Sequence, residues 1–172
     1  MNLSRIFGVR ETTAVLVTNT TPLIALVAAT GNLEVLRFLY ARVVVPLEVA
    51  EEVRAGGNQS FGLDVFNGAE WLDVQAEEVA LQPFLKNSLD RGESSVIQTA
   101  MNLGLSLTCI DETAGRRVAR LCGLEVTGSV GILLKAKRLG FEVSIAQALE
   151  RMQAQGIWLS DRVIKFAMAQ AD

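Results

Sequence analysis

The chain of 172 residues contains no histidine. That absence removes Ser-His-Asp and Cys-His mechanisms, histidine metal sites, histidine general bases and histidine pH switches. Hydrolytic chemistry here has to come from carboxylates, hydroxyls, lysines or carboxylate-bound metal. Cysteine is scarce as well. Cys109 and Cys122 fit no zinc or CxxC spacing and are too few for a disulfide framework, so a reduced cytoplasmic protein is expected. Positive charge is not in excess: 16 Lys and Arg against 19 Asp and Glu give −3 at pH 7. This disfavours a globally basic nucleic-acid binder but not a local basic face. Long apolar runs are missing too. The most apolar stretch, Ala14–Ala29, is interrupted by Thr18, Asn19, Thr20, Thr21 and Pro22, so no membrane span is expected. Residues 1–13 carry Arg5, Arg10 and Glu11, lack the apolar region of a signal peptide, and read as a loosely ordered extension before one domain over 14–172.

What is present is an ordinary globular composition, with 50% apolar and 20% charged residues. A chain this long buries roughly 70% of its unfolded surface and needs no covalent staple. Apolar runs suited to strands buried on both faces occur at Ala14–Thr18, Arg42–Val45, Leu105–Ile110 and Leu124–Thr127, with a further strand expected at Glu70–Val74. Helix-period segments alternate with them. Thr20-Thr21-Pro22 reads as a threonine cap with proline at the first helical position, stopped by Gly31-Asn32. Helices are expected at Leu33–Tyr40, after Pro46, within Asn58–Gly68, and over Asp90–Leu103, Glu112–Cys122, Val130–Leu139, Ser144–Gln155 and Ser160–Gln170; Gln75–Ser88 reads mostly as loop. The alternation implies an α/β fold with a parallel sheet of four to five strands and helices on both faces.

In such sheets ligands gather beyond the carboxyl ends of the strands. Asn19, Asp111, Thr127 and Ser129 stand there, Glu93 lies in the first turn of a helix, and Glu52 lies six residues after Pro46. Each has a plain structural alternative. Asp111 suits a cap for the next helix, Asp90 and Glu93 fit a capping box, Glu52 fits a solvated helix position, and Asn19 fits a turn. Glu48 and Glu52 are like charges one helical turn apart, a repulsion of roughly 0.2–0.5 kcal/mol that a cation, Arg54 or water would relieve.

Taken together, "VLVTNTTPLIAL", "VVVPLEVAEEV", "LDRGESSVIQTA" and "LTCIDETAGRRVARLCGLEVTGSVGILLKAKRLG" resemble, in order, the motifs of the PIN-domain superfamily, and most closely its DUF3368 group. The resemblance runs from Val15 to the C-terminus. It implies a three-layer α/β/α fold and a divalent-metal-dependent ribonuclease, often a VapC-like toxin of a toxin–antitoxin pair. It further implies Mg²⁺ or Mn²⁺ as cofactor, RNA as substrate, a small antitoxin protein as possible partner, and a homodimer. Glu52, Glu93 and Asp111 match three acidic positions of the family, with Asp111 and Glu93 in metal roles and Glu52 on a second metal or the attacking water. The chain departs at Asn19, where the family pattern has Asp, so one of four formal charges is lost. Carboxylate oxygens suit hard cations, which polarise the phosphodiester and lower the pKa of bound water.

Thr20 and Thr21 place hydroxyls at a helix N-terminus, where an anionic phosphate or a metal-bound water is well placed. Arg116 and Arg120 share a helix face after Asp111, with Arg117 nearby and Lys135, Lys137 and Arg138 on the next helix. This set suits phosphate docking and equally suits a solvated surface that complements helix dipoles. With two Trp, one Tyr and seven Phe, mostly in apolar context, RNA contact would rest on phosphate and shape rather than base stacking. The helices holding Leu23, Ile24 and Leu26, and Leu33, Leu36, Phe38 and Leu39, are apolar nearly all round, as core or as a dimer surface. Two other functions stay open. One is a catalytically degenerate PIN domain that binds RNA or protein. The other is a small-molecule-binding α/β domain, against which neither GxGxxG nor GxxxxGK[ST] occurs.

Overall fold

The computed structural model describes residues 13–56 and 61–171. The extension expected over 1–13 therefore lies, apart from Thr13, outside the described residues, as do residues 58–60 of the expected Asn58–Gly68 helix. In chain order the elements are β1 (Val15–Thr18), α1 (Thr20–Thr30), α2 (Glu34–Leu39), β2 (Arg42–Val45), α3 (Leu47–Ala55), α4 (Leu63–Gly68), β3 (Asp73–Val74), α5 (Pro83–Ser88), α6 (Arg91–Leu103), β4 (Leu107–Cys109), α7 (Thr113–Leu121), β5 (Glu125–Thr127), α8 (Ser129–Arg138), α9 (Ile145–Ala154) and α10 (Asp161–Ala169).

The valine-rich runs form the middle of a five-stranded, all-parallel sheet ordered β3-β2-β1-β4-β5. Leu16 and Val17 of β1 and Val43, Val44 and Val45 of β2 are fully or almost fully buried, because helices cover both faces of a parallel sheet. The result is the three-layer α/β/α arrangement. Helix α6 lies on β1 and β4, with α3, α5 and α7 against it, while α1 packs on α8 and α9. The near-uniform apolarity of α1 and α2 is thus core: Leu23, Leu26, Leu33, Leu36 and Leu39 are buried, and only Phe38 among the larger apolar side chains there is exposed.

Three details differ from the sequence expectation. Asn19, not a threonine, is the residue before α1. Its N–H donates to Cys109 O on β4 (3.0 Å), holding it extended, so the helix starts at Thr20. Pro22 then occupies the third helical position, where a missing N–H still costs no intrahelical bond. The strand expected over Glu70–Val74 shortens to two residues, because Leu72 N–H turns back to Ala69 O and β3 is an edge strand bonded only to β2. Within the expected loop Gln75–Ser88, proline at the first position starts the short helix α5.

Strand order reverses direction between β1 and β4. The connections from these neighbours run to opposite sides, which opens a crevice at their carboxyl ends. Asn19 follows β1 and Asp111-Glu112 follows β4, so both chain segments deliver polar residues there. Among the described residues no helix is long and apolar enough to cross a membrane.

Candidate functional site

The crevice is built from four segments. The first is the start of α1. Asn19 is only 4% exposed, and its Nδ2 donates to Glu112 Oε2 at 3.4 Å while its Oδ1 has no hydrogen-bond partner. Thr20 Oγ1 donates to Glu52 Oε2 (2.8 Å), and Thr21 Oγ1 donates to Glu112 Oε1. The two threonine hydroxyls therefore tie two acids from α3 and from the β4–α7 turn to one helix start.

The second segment is α3, which brings Glu52 in on an exposed helical position. The third is the first turn of α6. Asp90 caps this helix by accepting from Glu93 N–H (2.8 Å), and Glu93 is 5% exposed with Oε1 unpartnered. Gly92 beside it leaves the opening: a β-carbon there would stand 2.8 Å from Glu52 Oε2 and 2.9 Å from Asn19 Oδ1. These two oxygens thus face one small space that only glycine leaves clear. Gly115 in α7 does the same for Glu93, since its β-carbon would lie 2.5 Å from Oε1.

The fourth segment is the turn after β4, and here two adjacent acids part company. Asp111 stands at the sheet edge as expected, but its Oδ1 accepts from Ser129 N–H (2.8 Å) and so caps α8 rather than α7. Glu112 is the acid that meets Asn19 and Thr21. Sequence reasoning passed over Glu112. The one available signal was the Asp-Glu pair itself, whose members must point differently at a strand end. The glycines at 92 and 115 were likewise silent in sequence, because each matters only through a residue distant in the chain.

Burial and crowding act on the carboxyls. Burial pushes the Glu93 carboxyl above its ordinary value, the charges of Asp90 and Glu112 push it further, and the backbone N–H groups of Asp90 and Gly115 oppose the shift. Burial also raises Asp111, against the Ser129 backbone and hydroxyl that hold its charged form. Burial raises the Cys109 thiol too, so this cysteine is an inert core residue.

The basic residues are largely committed elsewhere. Arg116 Nη1 donates to Ile110 O (2.8 Å), Lys135 Nζ sits 5.1 Å from the centre of the Tyr40 ring, and Lys137 Nζ donates to Ala171 O. Arg117, Arg120 and Arg138 remain exposed.

The donors that converge, Asn19, Glu52, Glu93 and Glu112, offer only oxygen to a cation. This is the donor chemistry of Mg²⁺ or Mn²⁺, and the two unpartnered buried oxygens give it capacity to spare. Among the described residues, however, no three acidic or cysteine side chains are gathered closely enough to form a metal cluster by themselves. The fit is one of donor type with an amide among the ligands, not of a ready-made carboxylate cage.

A parallel α/β/α sheet with an acidic crevice at its switch point defines a class of proteins that act on ligands beyond the strand ends. The family comparison narrows it: the model of the DUF3368 family, a PIN domain, matches residues 15–172, and the chain belongs to that family. PIN domains are generally nucleases. No curated protein matches the chain.

Proposed function

We propose that the crevice between β1 and β4 is a ribonuclease site that works with a divalent cation, Mg²⁺ or Mn²⁺, and that Asn19 weakens it. Glu93 and Glu112, with Asn19 Oδ1, would hold the metal, and Glu52 would orient the attacking water from the hydroxyl-anchored position it shares with Thr20. Asp111 supports this group from the adjacent position by fixing the start of α8. The bound metal would supply charge stabilisation for the phosphodiester and a more acidic water. Arg120, with Arg117 and Arg138, would contact RNA phosphates, while Arg116 positions the turn after β4. Toxin-type use, with a small antitoxin protein as partner and a homodimer as the working unit, belongs to the same reading.

The observation that carries this reading is the side chain of Asn19. It is buried at the switch point, with one end on Glu112 and the other unpartnered beside Glu52. The same side chain favours a second reading. An amide that donates to Glu112 satisfies in part a carboxylate that a cation would otherwise neutralise, as in a domain that binds RNA without cutting it. Asn19→Asp separates the two. For a weakened nuclease, calorimetry should find Mn²⁺ bound roughly tenfold more tightly by the variant, about 1.4 kcal/mol, and cleavage of single-stranded RNA should rise. Its melting temperature should fall without metal, because like charges crowd the crevice, and recover on metal addition. Tighter metal binding with no gain in cleavage selects the binding module. Unchanged metal affinity and metal-dependent stability would remove residue 19 from the site and the nuclease reading with it.

A further inference from the structure

Outside the crevice, the most unusual buried group is Glu48 on the first turn of α3. It is 5% exposed; Oε1 accepts from Val79 N–H (2.7 Å), and Oε2 is buried with no partner among the described residues. A carboxylate oxygen left unmatched away from water is costly, and natural structures rarely keep one without use. Glu48 also lines three neighbouring hollows, of about 190, 290 and 530 Å³, between α3, the segment after β3 and α6, the first against the end of α6 and the other two against its start. Together they make a trough with Glu48 at its middle and Glu51, Glu52, Glu77, Glu78 and Asp90 along it.

Among the described residues, two cations face this trough. Arg91 is taken by Glu51 Oε2 (2.9 Å) and Glu78 Oε1 (2.7 Å), and Lys86 lines one hollow. They leave the acids in excess. A bare metal ion fits poorly, because the carboxylates are spread over three hollows. A guanidinium fits poorly too, since Arg91 already takes the facing pair of Glu51 and Glu78. Ammonium groups separated by methylenes suit both features. Each head is a compact donor for one carboxylate, and the stems can lie on Ala55, Val79, Ala80 and Leu81 of the same walls.

We propose that this trough is a binding site for a linear polyammonium cation, with Glu48 Oε2 as the buried acceptor for one of its ammonium groups. The site uses none of Asn19, Glu93 or Glu112. It shares Glu52 and the Asp90–Gly92 turn with the crevice, so occupancy would place positive charge beside the acid that faces Thr20.

The test is a calorimetric titration of the full chain, without metal, by spermidine at low salt. One molecule should bind per chain, and Glu48→Gln should weaken binding roughly tenfold, because the amide keeps an oxygen for Val79 N–H but loses the charge. The Val79 amide gives a readout in the unaltered protein: its NMR resonance should be among those that move most on saturation. Absence of binding, equal binding by Glu48→Gln, or an unmoved Val79 amide would overturn the proposal. So would a magnesium titration that moves Val79 as far as spermidine does, which would make the trough a metal site.

Discussion

Helices α8 and α1 both begin at the carboxyl edge of the sheet, and each has a cap-forming residue at hand, yet the two starts are resolved in opposite ways. At α8 the cap comes from a distance: Asp111 accepts the Ser129 N–H and its charge is used to finish a helix. At α1 the local residue is asparagine, among the best of all caps, and its side chain makes no capping bond. It turns instead to Glu112 and leaves one oxygen unmatched. The start of α6 shows both behaviours one turn apart, with Asp90 capping and Glu93 Oε1 unpartnered. The caps are satisfied, whereas in the crevice Asn19 Oδ1 and Glu93 Oε1 stay unmatched beside the hydrogen-bonded Glu52 and Glu112. Unsatisfied buried oxygens that cluster from segments far apart in sequence are the mark of a ligand site.

Four substitutions press on that contrast, ordered by their expected effect on stability. Gly115→Ala is the largest. Its new methyl would fall 2.5 Å from Glu93 Oε1 and 2.9 Å from Ile110 Cγ2, so a loss of roughly 1–3 kcal/mol in chemical denaturation is expected despite the better helix propensity of alanine. A neutral result would show that Glu93 is free to leave its place. Asp111→Ala removes the remote cap of α8 and should cost about 1–2 kcal/mol, with Asp111→Asn losing less; equal stability of the alanine variant would deny Asp111 its structural role.

Glu93→Gln should act in the opposite direction. The folded-state carboxyl titrates above its ordinary value of 4.5, so as pH rises the unfolded chain releases this proton first. Stability is therefore greatest below that value and is lost as pH rises through the folded-state value. Glutamine removes the loss. The metal-free variant should be more stable than wild type near neutral pH, with a flatter stability–pH profile. A profile as steep as wild type would mean that Glu93 is not the strained carboxyl. Gly92→Ala should change stability least, within about 0.5 kcal/mol, because its methyl crowds only the ends of the Glu52 and Asn19 side chains, which can swing away, and meets Asp90 Oδ1 at ordinary contact distance (3.5 Å). The same swing should abolish metal-dependent cleavage or RNA binding in the crevice. Retained function would show that the space beside Gly92 is not used.

Much of the fold was legible because its signals are local. Arg42–Val45 is a strand with the bounds its valines suggest, and the glycines after α1 and α6 stop those helices with the left-handed backbone that only glycine adopts freely. The short extent of the edge strand β3 and the helix α5 were not, since an edge strand is fixed by its single neighbour and a six-residue helix by the surface it meets. Glu52, Glu93 and Asn19 could be named from their positions relative to strand ends and helix starts. The division of labour between Asp111 and Glu112 could not, because it turns on which of two adjacent side chains the distant Ser129 N–H claims.

The bond from Asn19 N–H to Cys109 O has a consequence for how the protein comes into being. Asn19 and Glu112 are 93 positions apart. Pairing of β1 with β4 closes a long loop, a slow step that depends on most of the chain having been made. A nascent or truncated product that ends before β4 holds α1 and α3 but has no crevice. If the crevice is the ribonuclease site proposed above, a ribosome-bound fragment would thus be inert toward RNA around it, and activity would switch on only when the second half of the sheet docks.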